Sequence, residues 1–466
     1  VSDVPPKLPK DFASEALLRC ERATATRRLA SGLTLVHVSR PEDPRFWLSA
    51  TVRAGARLEQ PAEAGVSHFL EHMMFRGSRR HPDFARLAAA FEWLGGDWNA
   101  STGMEATDYW YAGVGATAPE VIELFSDFLE TPRFGDIETE RAIVLREIDG
   151  DHNDHGHSTD LGWHAASLLW KGTSLANPIL GTPKTLASFA IDTLNAYRDR
   201  CYVPSGMVLV AVGGDASTLD HLERYAAALR ASHKGKTPPR YPAAPTFKGP
   251  AVRWVEHSDN EFEVRLVFTL GGGDGSDDGL SAQVAARILA DGFSSRLVRH
   301  LREERGLVYD IDAFATLDHD TGTLEIGATC AADALDSFVD ELLGALATLA
   351  AKGPTEDESA RAVVREVVDL DLLPTDPSRL ALKLGRAMLF GRTPAFSSER
   401  RRIEAFTRQH MADFMKRTLR AGNAALVALG PRTDAAPKGE TKKKTAAKGS
   451  GIEERLKAAI LRHLAP

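Results

Sequence analysis

Three cysteines in 466 residues, Cys20, Cys201 and Cys330, are too few and too scattered to form a disulfide framework. No pair of them has metal-ligand spacing, so they read as reduced thiols. The chain also lacks any apolar run long enough to span a bilayer. Its first stretch, Val1 to Asp11, is polar and Pro-rich and has no signal-peptide core. These absences give the expectation of a cytoplasmic protein, with a removed leader and a periplasmic location left open. A large excess of one charge is missing as well. A net charge of −7 and a pI of about 6.1 make no electrostatic case for nucleic acid or an anionic membrane as a partner. Gly271 to Gly275 is glycine-rich but is followed by no Lys-Ser/Thr, so it is not a phosphate loop. What remains is an ordinary globular composition, long enough for two to three domains.

Against that background, Ser67-His68-Phe69-Leu70-Glu71-His72-Met73-Met74-Phe75 stands out. His68 and His72 are four apart, so on a helix both imidazoles lie on one face, one turn apart. Glu71 follows His68 by three and shares that face. Phe69, Leu70, Met73 and Phe75 would bury the rest of the helix. Polar groups inside such an apolar surround are costly unless they are paired or bind a metal. His-x-x-Glu-His is the inverted zinc-peptidase arrangement.

A catalytic zinc takes three protein ligands and keeps a position for water. The candidate third ligand is Glu147, in Glu140-Arg-Ala-Ile-Val-Leu-Arg-Glu147-Ile148. Glu140 and Glu147 are seven apart and share a helix face. A histidine pair or a Glu-x6-Glu alone is commonplace. In this order and at this separation the two motifs resemble the pitrilysin and mitochondrial-processing-peptidase family of metallopeptidases. The resemblance implies Glu147 as third ligand and Glu140 as a supporting acid behind the metal. It spans roughly Arg28 to Leu429.

Taken in order, Arg28 to Val38 reads as a strand pair around Ser31-Gly32, and Trp47 to Gly55 as an alternating strand. Pro82 to Leu94 reads as an amphipathic helix ending at Gly95-Gly96. Asn99 to Tyr109 reads as a strand or edge hairpin. The family has a similar Asn-Ala-x-Thr segment whose edge pairs with the substrate backbone, which implies a substrate-binding role for Asn99 and Ala100. Asp149 to His157 is rich in metal-capable side chains. Its Gly, Asn and Asp are also turn formers, so it is read as a solvated loop without a second ion. Ser232 to Pro250 has a linker's proline content.

The halves on either side of that linker resemble each other. Gly113-Val-Gly115-Ala116-Thr117 resembles Glu325-Ile-Gly327-Ala328-Thr329, at an offset of 212, and Arg141-Ala-Ile-Val resembles Arg361-Ala-Val-Val, at an offset of 220. The second copy has no His-x-x-Glu-His. Its Ser294-Ser-Arg-Leu and Leu301-Arg302-Glu-Glu-Arg-Gly-Leu-Val-Tyr309 match family segments in which an Arg and a Tyr reach the substrate. That implies that Arg302 holds a peptide carbonyl and Tyr309 donates to the oxyanion.

The expected architecture is therefore α+β. Two duplicated halves, each a mainly antiparallel sheet covered by helices, form a clamshell. The catalytic half is 1–231, the linker 232–250, and the non-metal half 251–433. Residues 434–466 hold a flexible Lys-rich segment and a short helix. The stripe Ile452, Leu456, Ile460 and Leu464 docks either on its own core or on a partner subunit. The expected activity is that of an endopeptidase holding one Zn²⁺ per chain on His68, His72 and Glu147, with Glu71 as the proton-transfer group. The same ligands also suit Co²⁺ and Mn²⁺. Substrates are oligopeptides or extended, unfolded segments cut inside a chamber. The chain carries both the zinc motif and the Arg/Tyr pair, which favours a homodimer over a heterodimer with a related chain. The alternatives are a dedicated precursor-processing subunit and a non-catalytic scaffold of the same fold.

Overall fold

A computed structural model describes residues 12–230, 233–432 and 450–464. The chain forms two compact units. One comprises 1–148, 177–242 and 368–401, the other 149–176, 243–367 and 402–466. Among the described residues no helix is long and apolar enough to cross a membrane.

The first unit is built on β1 (Thr24–Arg28), β2 (Thr34–Val38), β3 (Arg45–Val52), β4 (Asp97–Thr102), β5 (Thr107–Val114) and β6 (Met207–Val212). They line up as β1-β2-β6-β3-β5-β4. Only β2 and β6 run parallel. Met-Val-Leu-Val-Ala-Val of β6 is buried along its whole length, as a central strand with both faces covered must be. β4 lies at the edge, and its exposure alternates residue by residue, so one face turns to helices and the other to solvent.

The second unit uses β7 (Ala251–Glu256), β8 (Glu261–Thr269), β9 (Val308–Leu317), β10 (Gly322–Ala331) and β11 (Ala424–Gly430). Their order, β7-β11-β8-β10-β9, repeats β2-β6-β3-β5-β4 strand for strand, with β7 and β11 as the parallel pair. This shared topology is the duplication that the sequence predicts. The predicted offset of 212 needs correction. Ala118–Glu130 and Leu335–Lys352, the helices that follow β5 and β10, start 217 apart. Gly115–Thr117 is a turn beyond β5, whereas Gly327 to Thr329 lies inside β10, so the matching letters occupy different places. The offset of 220 joins the helices Ile137–Gly150 and Glu356–Leu372. It sets Val367, buried at 2% exposure, where the first copy has Glu147. The helix Asp277–Ala290 follows β8 and carries no histidine or glutamate.

Each unit borrows a helix from the other copy's sequence. Pro377–Leu389 packs on β3 and β6, and Leu161–Leu169 packs on β11 and β8. Gly385 makes the first of these possible, because a Cβ there would stand 2.4 Å from Thr51 Oγ1.

The apolar stripe near the C-terminus is buried within the second unit. The helix Ser450–His463 packs on Leu335–Lys352 and β7, and Ile452, Leu456, Ile460 and Leu464 are 0–2% exposed. Truncating Ile460 to Ala is expected to cost about 2–5 kcal/mol, read by urea unfolding. The Lys-rich segment around Lys442 to Lys444 lies outside the described residues.

Candidate metal centre

The segment Val66–Met74 is helical, as its apolar spacing predicts, and Phe69, Leu70, Met73 and Met74 are fully buried in the first unit's core. The chain enters this helix through Gly65 at φ 91°. A side chain is excluded there, since a Cβ would come within 2.6 Å of Gly181 Cα. Glu59, eight residues before Ser67, anchors the first turn. Its carboxylate accepts the Gly65 and Ser67 N–H groups, each at 2.9 Å, and the Ser67 hydroxyl. These are donors that a helix start leaves without internal partners.

Burial pushes the Glu59 pKa up to about 7, against the lowering effect of its donors. The folded state therefore holds this proton more tightly than the unfolded chain. The associated stability is present in acid and is lost as pH rises through about 7. Over that range the wild type is expected to lose up to about 3 kcal/mol relative to Glu59→Gln, measured as urea stability at pH 5 and pH 8.

The two histidines present their outer nitrogens to one point. His68 Nε2 lies 3.7 Å from Glu147 Oε2, and His72 Nε2 lies 3.6 Å from the same oxygen. All three ligand atoms fall within 4.8 Å of one another. These separations are too long for hydrogen bonds. They approach the roughly 3.3–3.6 Å that separates donors about 2.0–2.2 Å from a common tetrahedral ion. The imidazole rings sit 4.7 Å apart, inclined at 69°. Glu147 comes from Ile137–Gly150, and its side chain is 41% exposed, so the site opens on that side.

Behind the ligands, His72 Nδ1 lies 3.1 Å from Glu140 Oε2. Arg76 donates to Glu140 Oε1 at 3.0 Å and to Asp136 at 2.7 Å. Glu140 thus fixes the ring that would leave Nε2 for a metal. Burial alone would lower the His72 pKa, but the Glu140 bond and the charges of Glu147, Glu140 and Glu71 raise it on balance. For His68, burial and the neighbouring His72 lower it to about 3, keeping the imidazole neutral. His68 Nδ1 is buried without a hydrogen-bond partner among the described residues. Two imidazoles and one carboxylate on a common point are the donor set of a catalytic zinc, so the residues fit the ion.

Glu71 is 8% exposed. Burial raises its pKa, Glu147 adds to the rise, and a Thr102 hydroxyl bond together with His72 opposes it. Thr102 donates to Glu71 Oε2. Glu59 is marked by no sequence motif, and Thr102 is the Thr of the Asn-Ala-x-Thr segment, where nothing in the sequence ties it to Glu71. Glu59 acts across a loop, and Thr102 is one alternating residue of an edge strand.

Asn99 and Ala100 lie on β4, as predicted. The Ala100 N–H donates to Asn99 Oδ1 at 2.8 Å. Arg302 and Tyr309 belong to the second unit. Arg302 lies in the helical turn Val298–Glu304, its guanidinium 5.7 Å from the Phe293 ring centre. Tyr309 on β9 is 86% exposed. The Asp149 to His157 segment is organised by Asn153, whose side chain accepts the N–H groups of His155 and His157. His152 and His157 line a cavity of about 530 Å³ in the second unit, together with Trp163, His164, Arg253 and Trp254.

Residues 35–183 match the family model described as Insulinase (Peptidase family M16), and residues 188–364 match the one described as Peptidase M16 inactive domain. The chain belongs to peptidase family M16. All five residues of the candidate metal centre, His68, Glu71, His72, Glu140 and Glu147, lie within the first match. The chain is 28% identical over 422 residues to a Mycobacterium bovis protein, covering 88% of this chain and 94% of that one. It is 27% identical over 390 residues to a Streptomyces coelicolor protein, covering 81% and 83%. Both relatives are named uncharacterized zinc proteases. Among solved structures, a peptidase M16 inactive domain from Pseudomonas fluorescens superposes with a TM-score of 0.80 at 20% identity, covering 89% of this chain and all of that one. A protease from Helicobacter pylori gives 0.79 at 17% identity, covering 88% and 99%. Both carry the same fold as this M16 chain.

Proposed function

We propose that this M16 chain is a zinc endopeptidase acting on oligopeptides and extended, unfolded polypeptide segments. The observation that carries the reading is the convergence of His68 Nε2, His72 Nε2 and Glu147 Oε2 within 4.8 Å of one another, on the helix face that also holds Glu71. A bound zinc ion would supply a water of lowered pKa and polarise the scissile carbonyl. With the ion bound, Glu71 would be the residue that holds the proton between the attacking water and the leaving amine. Its raised proton affinity suits a group that must act as base and then as acid. Glu140 and Arg76 hold His72 in place. The open edge of β4 receives the peptide as an added strand, and the Ala100 N–H exchanges Asn99 Oδ1 for a substrate carbonyl.

Arg302 and Tyr309 enter this reading by family resemblance, as holders of a peptide carbonyl and of the oxyanion. One chain carries both residue sets, so the reading includes a homodimer, to be checked by light scattering. The alternative is a non-catalytic scaffold of the same fold; the family model described as the inactive domain matches 188–364, a span that holds none of the candidate ligands.

The test is metal content together with cleavage of a mixed peptide library. About one zinc per chain and chelator-sensitive cleavage are expected. Zinc without cleavage would turn attention to a partner chain or a dedicated precursor. A chain that binds no metal overturns the reading.

A further inference from the structure

β4 ends at Thr102, and the alternation along the strand sets Trp98, Ala100 and Thr102 on its less exposed face. That strand packs on the Val66–Met74 helix. Thr102 Oγ1 stands between two acceptors, Glu71 Oε2 and Thr107 Oγ1, the latter 3.5 Å away. Thr107 is fully buried and spends its own proton on the Ala54 carbonyl, at 2.9 Å. A hydroxyl has one proton to give. The carboxylate is the nearer and the stronger acceptor, so the Thr102 proton goes to Glu71.

We propose that Thr102 is a positioning residue for proton transfer. It ties down Glu71 Oε2 so that Oε1 is the oxygen that takes and returns the proton. The inference rests on the reading of Glu71 as the proton-transfer group. A glutamate side chain turns about three torsions, and a base that is not held in line spends little time within reach of its proton. Thr102 supplies the missing constraint from a strand rather than from the helix that bears Glu71. The same residue closes the edge strand proposed to receive the peptide. One backbone segment therefore sets both the line of the substrate and the aim of the base.

Thr102→Val keeps the shape and removes the donor, and Thr102→Ser keeps the donor. With zinc-loaded protein and one peptide that the wild type cuts, kcat of Thr102→Val is expected to fall about tenfold or more, with KM and zinc content unchanged. Thr102→Ser should hold kcat within about threefold of wild type. In crystals of the two variants the Glu71 carboxylate should be displaced or split in Thr102→Val and unmoved in Thr102→Ser. A wild-type kcat in Thr102→Val overturns the inference. So does an equal loss in both variants, or a loss that comes with released zinc. If the wild type cuts no library peptide, that outcome bears on the substrate or partner and not on Thr102, and the crystal comparison decides. An unmoved Glu71 in Thr102→Val overturns the positioning role, and a displaced one upholds it.

Discussion

Glu71→Gln is expected to lower kcat by about a thousandfold while leaving the bound metal in place. The argument separates two roles that lie on one helix face. His68, His72 and Glu147 supply the converging ligand atoms, and Glu71 is not among them. An amide of the same shape cannot take the proton, yet it disturbs no ligand. The substitution should not weaken the fold. Burial already raises the Glu71 pKa, which means that a charged carboxylate is costly at 8% exposure. A neutral amide removes that cost. Zinc content, thermal melting and peptide turnover, measured on the same preparations, check the three statements together. Retention of more than about a tenth of the wild-type kcat would remove Glu71 from the mechanism, because general acid–base catalysis contributes far more than that.

Glu147→Ala has the opposite signature: metal and activity are lost together, and the apo fold is kept. The Glu147 side chain is 41% exposed, so truncating it leaves no large cavity and no stranded donor. What it does remove is the oxygen that lies within 3.7 Å of both histidine nitrogens. Two imidazoles remain, and a catalytic zinc site needs three protein ligands. The zinc that survives gel filtration should fall from about one per chain to less than about a tenth. The melting temperature of metal-free protein should match that of metal-free wild type. Full zinc occupancy in Glu147→Ala would break the assignment of the third ligand.

The parts of the site that were legible in the sequence are those governed by local geometry. His68, Glu71 and His72 share a face because three- and four-residue steps do so on any helix. Asn99 to Tyr109 reads as a strand or edge hairpin from its β-branched and aromatic residues. Glu147 needed more than spacing: its motif, in that order and at that distance, had to resemble a family. The unread parts depend on contacts across loops. Glu59 reaches the ligand helix past a left-handed glycine, and no periodicity connects it to Ser67. The repeat is visible in the sequence, but its Gly-Ala-Thr match lies five residues out of structural register, because such a match carries no information about whether it sits in a strand or just beyond one. The C-terminal stripe was visible, but which surface buries it is a property of packing. The stretch 232–250 reads as a boundary along the chain, whereas the compact units interlace.

That interlacing has a genetic consequence. A chain opened anywhere in 233–242 would give two fragments, each keeping a helix that the other needs. The first fragment retains Leu161–Leu169, whose sheet is completed by β8 and β11. The second retains Pro377–Leu389, whose buried Leu380 and Leu384 belong against β3 and β6. Expressed alone, each fragment would have an uncovered sheet and a helix with an unsheltered apolar side. Expressed together, they can complement each other. Each half would then depend on the other for a covering helix, and neither is expected to fold as a free-standing module when transplanted alone.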